Sequence, residues 1–346
     1  MKALVTGGGG FIGSAIARML HERGDDVLVL GRRDYPQHDR AGIPTLQADL
    51  RDANAVHAAC KGVETVFHVG ALAGIWGKKR EFWEINVSGT ASVVAACRAR
   101  GVEKLVFTSS PSVVFGAHDL KGVDETHPYP KRYFAHYPHT KVLAEQMVLA
   151  ANSADLPTVA LRPHLVWGPG DPHLIPRIVE RARRGKLIQV GDGKNLVDIT
   201  YIDNAAVAHL LAADALSPGG CCAGRAYFIS QGEPVELWPW LNTILAALGV
   251  PQVRRSISFG AAKRIGAFLE VIHKLLPANM EPRMTRFLAL QLAKSHYFDI
   301  GAARRDLGYV PSVSTEEGVR RMLAAMRSSD SSVAVGPASH SMESAV

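Results

Sequence analysis

Lys2-Ala3-Leu4-Val5-Thr6-Gly7-Gly8-Gly9-Gly10-Phe11-Ile12-Gly13 joins a strand signal, a glycine turn and a helix start at the head of the chain. Lys2–Thr6 is a short apolar run closed by glycine, the pattern of a buried strand, and the apolar positions of Phe11–Arg23 recur with helical spacing. Gly7, Gly10 and Gly13 between them carry the spacing that meets three demands: a tight turn, close approach of backbone to a pyrophosphate, and close packing of helix on strand. A helix beginning at Phe11 and Ile12 offers free amides and a partial positive charge to the same diphosphate. A dinucleotide site is predicted at this turn.

Working outward, strand signals at Asp26–Leu30, Pro44–Gln47, Thr65–Val69, Lys104–Thr108 and Thr158–Leu161 alternate with helical patterns at Ala53–Cys60, Glu81–Arg100 and His136–Ala151. Such alternation predicts an α/β fold, a doubly wound parallel sheet whose ligand sits beyond the carboxyl ends of the strands where strand order reverses. After Pro163 the rhythm loosens, with Pro169, Pro172, Pro176, Gly185, Gly191 and Gly193 as punctuation. The expected organisation is a dinucleotide-binding domain over 1–165, to which parts of 196–232 return, and a smaller, mostly helical C-terminal substrate region over 166–327. A helix near Asp203–Ala215, a strand near Ala226–Ile229 and a helix near Glu236–Leu248 are predicted there. The serine-rich stretch from Ser328 to Val346 has little to bury and reads as a disordered tail. Over 258–276, Phe259, Ala262, Ile265, Leu269, Ile272 and Leu276 share one helical face. That stripe fits the wall of an apolar channel, packing within the second domain, or shallow docking on a membrane surface.

Of 346 residues 47% are hydrophobic, enough for a large core, yet no run of 18 uninterrupted apolar residues appears, so no transmembrane segment is expected. Cys60, Cys97, Cys221 and Cys222 lack metal spacing and read as free thiols. With no signal-peptide core at the first residues, the expected location is the cytoplasm, with no metal. The formal charge is +7, but its cations are dispersed, and no nucleic-acid module is evident.

Past the second strand stands Leu30-Gly31-Arg32-Arg33 rather than the acidic residue that would hold a ribose 2′-hydroxyl. Glycine leaves room for a 2′-phosphate and the guanidinium groups of Arg32 and Arg33 can meet it, so NADP(H) is expected over NAD(H), although neighbouring Asp34 could turn inward instead. Tyr137-Pro138-His139-Thr140-Lys141 opens a helix, which sets phenol and ammonium on one face. A cation nearby favours the phenolate, lowering the tyrosine pKa for proton exchange with a substrate oxygen. Just beyond the fifth strand, Ser110, or failing it Ser109, can hydrogen-bond that oxygen as charge develops. Asn86 is a candidate for holding a proton-relaying water.

With these residues placed, the chain resembles the extended short-chain dehydrogenase/reductases, in the branch of 3β-hydroxysteroid and sterol-4-carboxylate dehydrogenases, from about Lys2 to Met326. Asp49-Leu50, His68-Val69-Gly70-Ala71, the stretch from Leu161 to Asp171, Tyr201–Ala206 and Asp306–Pro311 also carry the likeness. It implies a Rossmann domain in which Asp49 and Leu50 contact the adenine, Ala71 lines the cofactor, Pro163 and Leu165 flank the nicotinamide, and Lys141 holds its ribose. Within the branch, Gly31–Pro36, Ala73–Gly77, Thr108–Val113, Val197–Tyr201 and Tyr227–Pro234 are most similar to the NADPH-dependent 2-alkyl-3-oxoalkanoate reductases of bacterial long-chain olefin biosynthesis. That likeness implies reduction of a long-chain apolar 3-oxo acid to the 3-hydroxy acid, with Trp76, His164 and Trp167 on the substrate side. A homodimer through Glu81–Arg100 and His136–Ala151 is implied in the same way. Rival readings are a sterol or steroid dehydrogenase, a nucleotide-sugar epimerase or dehydratase, and a non-catalytic NADP(H) sensor.

Overall fold

A computed structural model describes residues 1–172, 174–276 and 280–333. Seven parallel strands form the main sheet: β1 (Lys2–Thr6), β2 (Asp26–Gly31), β3 (Thr45–Gln47), β4 (Thr65–His68), β5 (Lys104–Thr108), β6 (Thr158–Pro163) and β7 (Arg225–Ile229). Their order is β7-β6-β5-β4-β1-β2-β3, so the winding reverses between β1 and β4. Leu30, Thr6, His68 and Phe107 lie in register across four strands, and the loops that follow therefore leave the sheet at one level. Helices α1 (Phe11–Glu22), α2 (Ala53–Ala59), α3 (Gly89–Arg100), α4 (His136–Ala150) and α5 (Ile202–Ala215) cover the two faces. Each face buries its own apolar cluster, Val5, Ile16 and Val29 in one, Leu4, Val66 and Leu105 in the other. A continuous run of apolar strand residues is what burial on both faces requires.

The domain boundaries differ from those expected. A second, four-stranded sheet takes Leu120–Val123 from the first half and pairs it with His296–Phe298, then Leu196–Val197, then Val235–Glu236. From the second half, α5 and β7 return to the main sheet, and the helix Gly301–Leu307 packs against both. The helix expected over Glu81–Arg100 is interrupted: Trp83–Ser88 winds as π-helix ahead of α3. Thr315–Val333 is helical past Ser328, because the Arg327 guanidinium reaches the Ala247 carbonyl (3.1 Å) and Ser328 Oγ bonds the Ala324 carbonyl (3.0 Å). Ser328–Val333 of the expected tail are therefore helical, and residues 334–346 lie outside the described residues.

The stripe on 258–276 is turned differently from its expectation. In α6 (Phe259–His273) the buried residues are Ala262, Gly266 and Glu270, whereas Ile265, Ile272 and Leu276 are exposed. Small residues let this helix close on α7 (Arg286–Ala293): a methyl group at Gly266 would stand 2.6 Å from the Thr285 carbonyl carbon. Glu270 then takes Arg286 through its amide (2.6 Å) and its Nε (2.8 Å).

β6 is tied to α4 by a fully buried ion pair. Arg162 donates to Glu145 through Nε (2.9 Å) and Nη2 (2.6 Å), and the Tyr129 hydroxyl donates to the same carboxylate (2.6 Å). Removing one partner strands a charge without water, whereas removing both does not. Arg162→Met should therefore cost about 3–5 kcal/mol in urea denaturation, and the double variant Arg162→Met/Glu145→Met should recover most of that loss.

Candidate active site

The loops leaving β1, β2, β4, β5 and β6 surround a cleft of about 640 Å³. Gly7, Gly10, Phe11, Ile12 and Gly13 form one end of it. Each glycine answers a separate constraint. Gly7 has φ +66°, and a methyl there would stand 2.5 Å from the Gly70 Cα; at Gly13 one would stand 2.8 Å from the Gly8 Cα; at Gly10 its only close neighbour would be the Gly7 carbonyl, at 3.2 Å. Gly10 therefore keeps the open side of the turn bare, which is the cradle a diphosphate needs. The turn is held by neutral His68, whose ring bridges Thr6 Oγ1 (2.7 Å) and Thr90 Oγ1 (2.9 Å). Burial, then the Lys141 cation, lowers its pKa to about 3. Its side chain lines nothing; Val69, Gly70 and Ala71 after it do.

Arg32, Arg33, Asp49 and Leu50 line the same end. Asp49 accepts from Arg51 through Oδ1 (3.0 Å) and Oδ2 (2.8 Å), which lowers its pKa. Asp34 is exposed and outside the lining. The space that glycine was expected to leave at position 31 is filled by Tyr35, whose hydroxyl stands 2.5 Å from where a methyl on Gly31 would be and whose ring also covers Gly9. Sequence reasoning missed Tyr35; an aromatic residue needing two bare glycines beside it was the available signal.

At the other end, Ser110, Tyr137 and Lys141 line the cleft with Leu72, Ala73, Ile85, Pro163, Leu165, Val166 and Leu174. Lys141 is 2% exposed; its Nζ donates to the Thr108 carbonyl (2.6 Å) and lies 4.0 Å from the Phe107 ring centre. Burial pulls its pKa down to about 7, against the opposing pull of Glu145, one helical turn further along α4. The expected lowering of the Tyr137 pKa is not found. Burial raises it, the Ser110 hydroxyl works in the opposite direction, and the ammonium is directed at Thr108 rather than at the phenol. Ser110 Oγ accepts from the Ser112 amide (3.2 Å), and its hydroxyl faces the Tyr137 phenol, whose pKa it pulls down against burial. Ser109 is buried beneath it.

Asn86 does not line the cleft. Within the π-helix its amide is used up by Leu72, accepting from the Leu72 nitrogen (2.7 Å) and donating to its carbonyl (3.0 Å), and by Thr140 Oγ1 (3.0 Å). It braces the 70–73 loop against α4 rather than holding a water. Trp167 is fully buried against Tyr201 and Trp240, and His164 is buried against His296 (2.6 Å), so neither reaches the cleft. Trp76 lies outside it, edge-on to His273 at 6.3 Å. No residue of α6 is among those that line this cleft. Leu165 is the one non-glycine with positive φ (+39°) among the described residues, held by Thr200, whose hydroxyl donates to the His164 carbonyl (2.7 Å). Strain of this kind persists where surrounding structure over-determines it, here at a cleft wall.

A glycine cradle, a reversal of strand order and a buried Tyr–Lys pair beside it define a nicotinamide-dinucleotide-dependent oxidoreductase of the extended Rossmann type. The chain belongs to the 3-beta hydroxysteroid dehydrogenase/isomerase family, whose model matches residues 4–259. It is 54% identical over 327 residues, 94% of this chain and 99% of the other, to a 2-alkyl-3-oxoalkanoate reductase of Stenotrophomonas maltophilia. It is 34% identical, over 92% of this chain and 89% of the other, to the decarboxylating sterol-4-alpha-carboxylate 3-dehydrogenase of Mus musculus. Among solved structures, MoeE5 in complex with UDP-glucose and NAD superposes with a TM-score of 0.74 at 27% identity, covering 95% of this chain and 99% of that one.

Lys141 gives a pH signature. Its pKa in the folded chain, about 7, lies below the ordinary 10.5, so between those values the unfolded chain binds the extra proton and stability rises with pH. For the protein without dinucleotide, the stability difference between wild type and Lys141→Met should shift in favour of wild type by up to about 1.4 kcal/mol per pH unit across that window. Denaturant titrations from neutral to alkaline pH measure it.

Proposed function

We propose that the protein reduces the ketone of a long-chain 2-alkyl-3-oxoalkanoic acid to the 2-alkyl-3-hydroxy acid, with NADPH as reductant. One observation carries this reading: Tyr137, Ser110 and Lys141 converge on a cleft whose substrate end is apolar, in a chain 54% identical to a reductase of that name. When bound, the reduced nicotinamide supplies the hydride that adds to C3. The residues of the chain do the rest. A phenol whose pKa is raised by burial stays protonated at neutral pH, which suits it to give a proton to the carbonyl oxygen as hydride arrives. Ser110, its oxygen already engaged by Ser112, donates to the same oxygen as charge develops. Lys141 is in place to hold a ribose hydroxyl and to replace the proton Tyr137 gives up.

The names of both curated relatives put a carboxyl-bearing carbon beside the carbon that changes oxidation state. Lys78, Lys79, Arg80, Arg177 and Arg283 are the candidates to hold such a carboxylate, yet none lines the cleft. Lys78, Arg80 and Arg177 are instead paired with Glu81, Glu84 and Glu281. A carboxylate would then meet solvent at the mouth of the cleft. NADPH is favoured because Arg32 and Arg33 stand at the adenosine end, where the nearby Asp49 carboxylate, whose pKa Arg32 helps to lower, is already paired with Arg51. A cytoplasmic homodimer through the segments 81–100 and 136–151 completes the reading, supported by kinship.

Tyr137→Phe should lower turnover of a 2-alkyl-3-oxo acid by about 10²–10⁴-fold with NADPH affinity nearly unchanged. NADPH consumption against oxo acids, sterols and nucleotide sugars tests this; turnover by the variant near the wild-type rate would remove Tyr137 from the mechanism, and no turnover by the wild type on any of them would revive a sensor. Arg32→Ala/Arg33→Ala should raise KM for NADPH by about 10–100-fold, the worth of lost charge-assisted hydrogen bonds, and leave KM for NADH within a small factor. Equal effects on both cofactors would remove the case for the phosphate.

A further inference from the structure

We propose that the outer face of α6 is a docking surface for the headgroup region of an anionic lipid bilayer. The inference is independent of the substrate assigned above. The sequence of α6 distributes its side chains the wrong way round for a core helix. The face against α7 is made of Ala262 and Gly266 and of Glu270 held by Arg286, while the outward face carries Ile265, Phe268, Val271 and Ile272, followed by Leu275 and Leu276. Phe268 is 65% exposed and Leu275 87%. These positions follow one another at three- and four-residue spacing, so they form one stripe along the helix. Isolated exposed apolar residues are ordinary on a protein surface, but a continuous stripe is not.

Charge selects the occupant. Glu270 is the only carboxylate in α6, and it is turned inward and neutralised by Arg286. The outer side is left with Arg264 and, just past the helix, Lys274. Lys78, Lys79 and Arg80 lie beside the end of this stripe: Trp76 meets His273 edge-on at 6.3 Å, and after burial the cations Lys79 and Lys274 both lower the pKa of His136 between them. Trp83, 39% exposed beneath Lys79, adds an amphipathic ring at the same border. Glu81 and Glu84, which pair with Lys78 and Arg80, offset part of that positive charge, whereas Arg264 and Lys274 have no carboxylate beside them on α6. A convex apolar ridge bordered by cations and one indole matches the boundary between acyl chains and anionic headgroups; a helix-binding protein partner would more naturally find a groove.

The full chain, with vesicles of phosphatidylcholine alone or mixed with phosphatidylglycerol, tests this by co-sedimentation. The protein should pellet with the mixed vesicles, far less with the neutral ones, and be released by raised salt. Phe268→Asp/Leu275→Asp should weaken vesicle binding by about tenfold or more, while its circular dichroism spectrum and urea midpoint stay close to those of wild type and so certify folding. No pelleting of the wild-type chain with phosphatidylglycerol would sink the proposal. So would unaltered binding by the double variant, or a wild-type dimer that ignores vesicles and becomes monomeric in that variant, which would assign the stripe to a second copy of the chain.

Discussion

An ammonium group without water, resting on the Thr108 carbonyl and the Phe107 ring, is the contact on which the active end of the molecule depends. Burying a lysine is costly unless something meets its charge, and this one has a single neutral acceptor and a ring face. The acceptor is the last carbonyl of β5, so α4 is fixed against the sheet at the level where the strands end. Tyr137 follows from that placement, because it lies one turn before Lys141 on the same helix. Glu145 lies one turn after it, with its charge already committed to Arg162 of β6. One helical face thus passes from a neutral acid at the cleft, through a poorly solvated amine, to a neutralised ion pair in the core.

This geometry explains why α4 needs so little help from conventional signals. Its first residues include Pro138, which a first turn tolerates, and no side chain caps its start. What holds the helix is polar and buried: Lys141 to β5, Glu145 to β6, and Thr140 to Asn86 across the π-helical turn. The extra residue of that turn aims Asn86 at both Leu72 and Thr140, which couples a wall of the cleft to the helix bearing the phenol. A π-turn costs regular hydrogen bonding and recurs where a side chain must be re-aimed, as it is here.

The sheet, its strand boundaries, the glycine turn and the Tyr–Lys pair were legible in the sequence because each is a local pattern: an apolar run, a spacing of glycines, a four-residue interval. What was not legible depended on contacts distant in sequence. Asn86 read as a water holder because nothing in Ile85-Asn86-Val87 reveals that Leu72 and Thr140 consume its amide. Trp167 and His164 read as substrate contacts because they stand within two residues of Leu165, yet their partners, Trp240 and His296, are distant in sequence and hold them in the core. The phase of α6 was missed for a different reason. Counting apolar positions finds the stripe, but only the small residues Ala262 and Gly266, which permit close approach to α7, say which side is inward.

A solved structure of similar fold, MoeE5, is in complex with UDP-glucose, and the walls of the cleft in this chain bear on whether such a ligand suits it. Leu72, Ala73, Ile85, Val166 and Leu174 supply the substrate end, and Lys141 is its only cation. A sugar diphosphate entering such a space would lose water from its hydroxyls and phosphates without finding partners, a penalty that grows with each unpaired group. An alkyl chain loses nothing by the same transfer and gains from each methylene buried. The phenol and the Ser110 hydroxyl are enough for one oxygen; the Asp171 carboxylate, which also lines the cleft, accepts from the Leu174 and Ile175 amides. Selectivity in this cleft therefore comes from rejecting polar substrates by desolvation, while the single oxygen that must be bound is met by the residues that also perform the reaction.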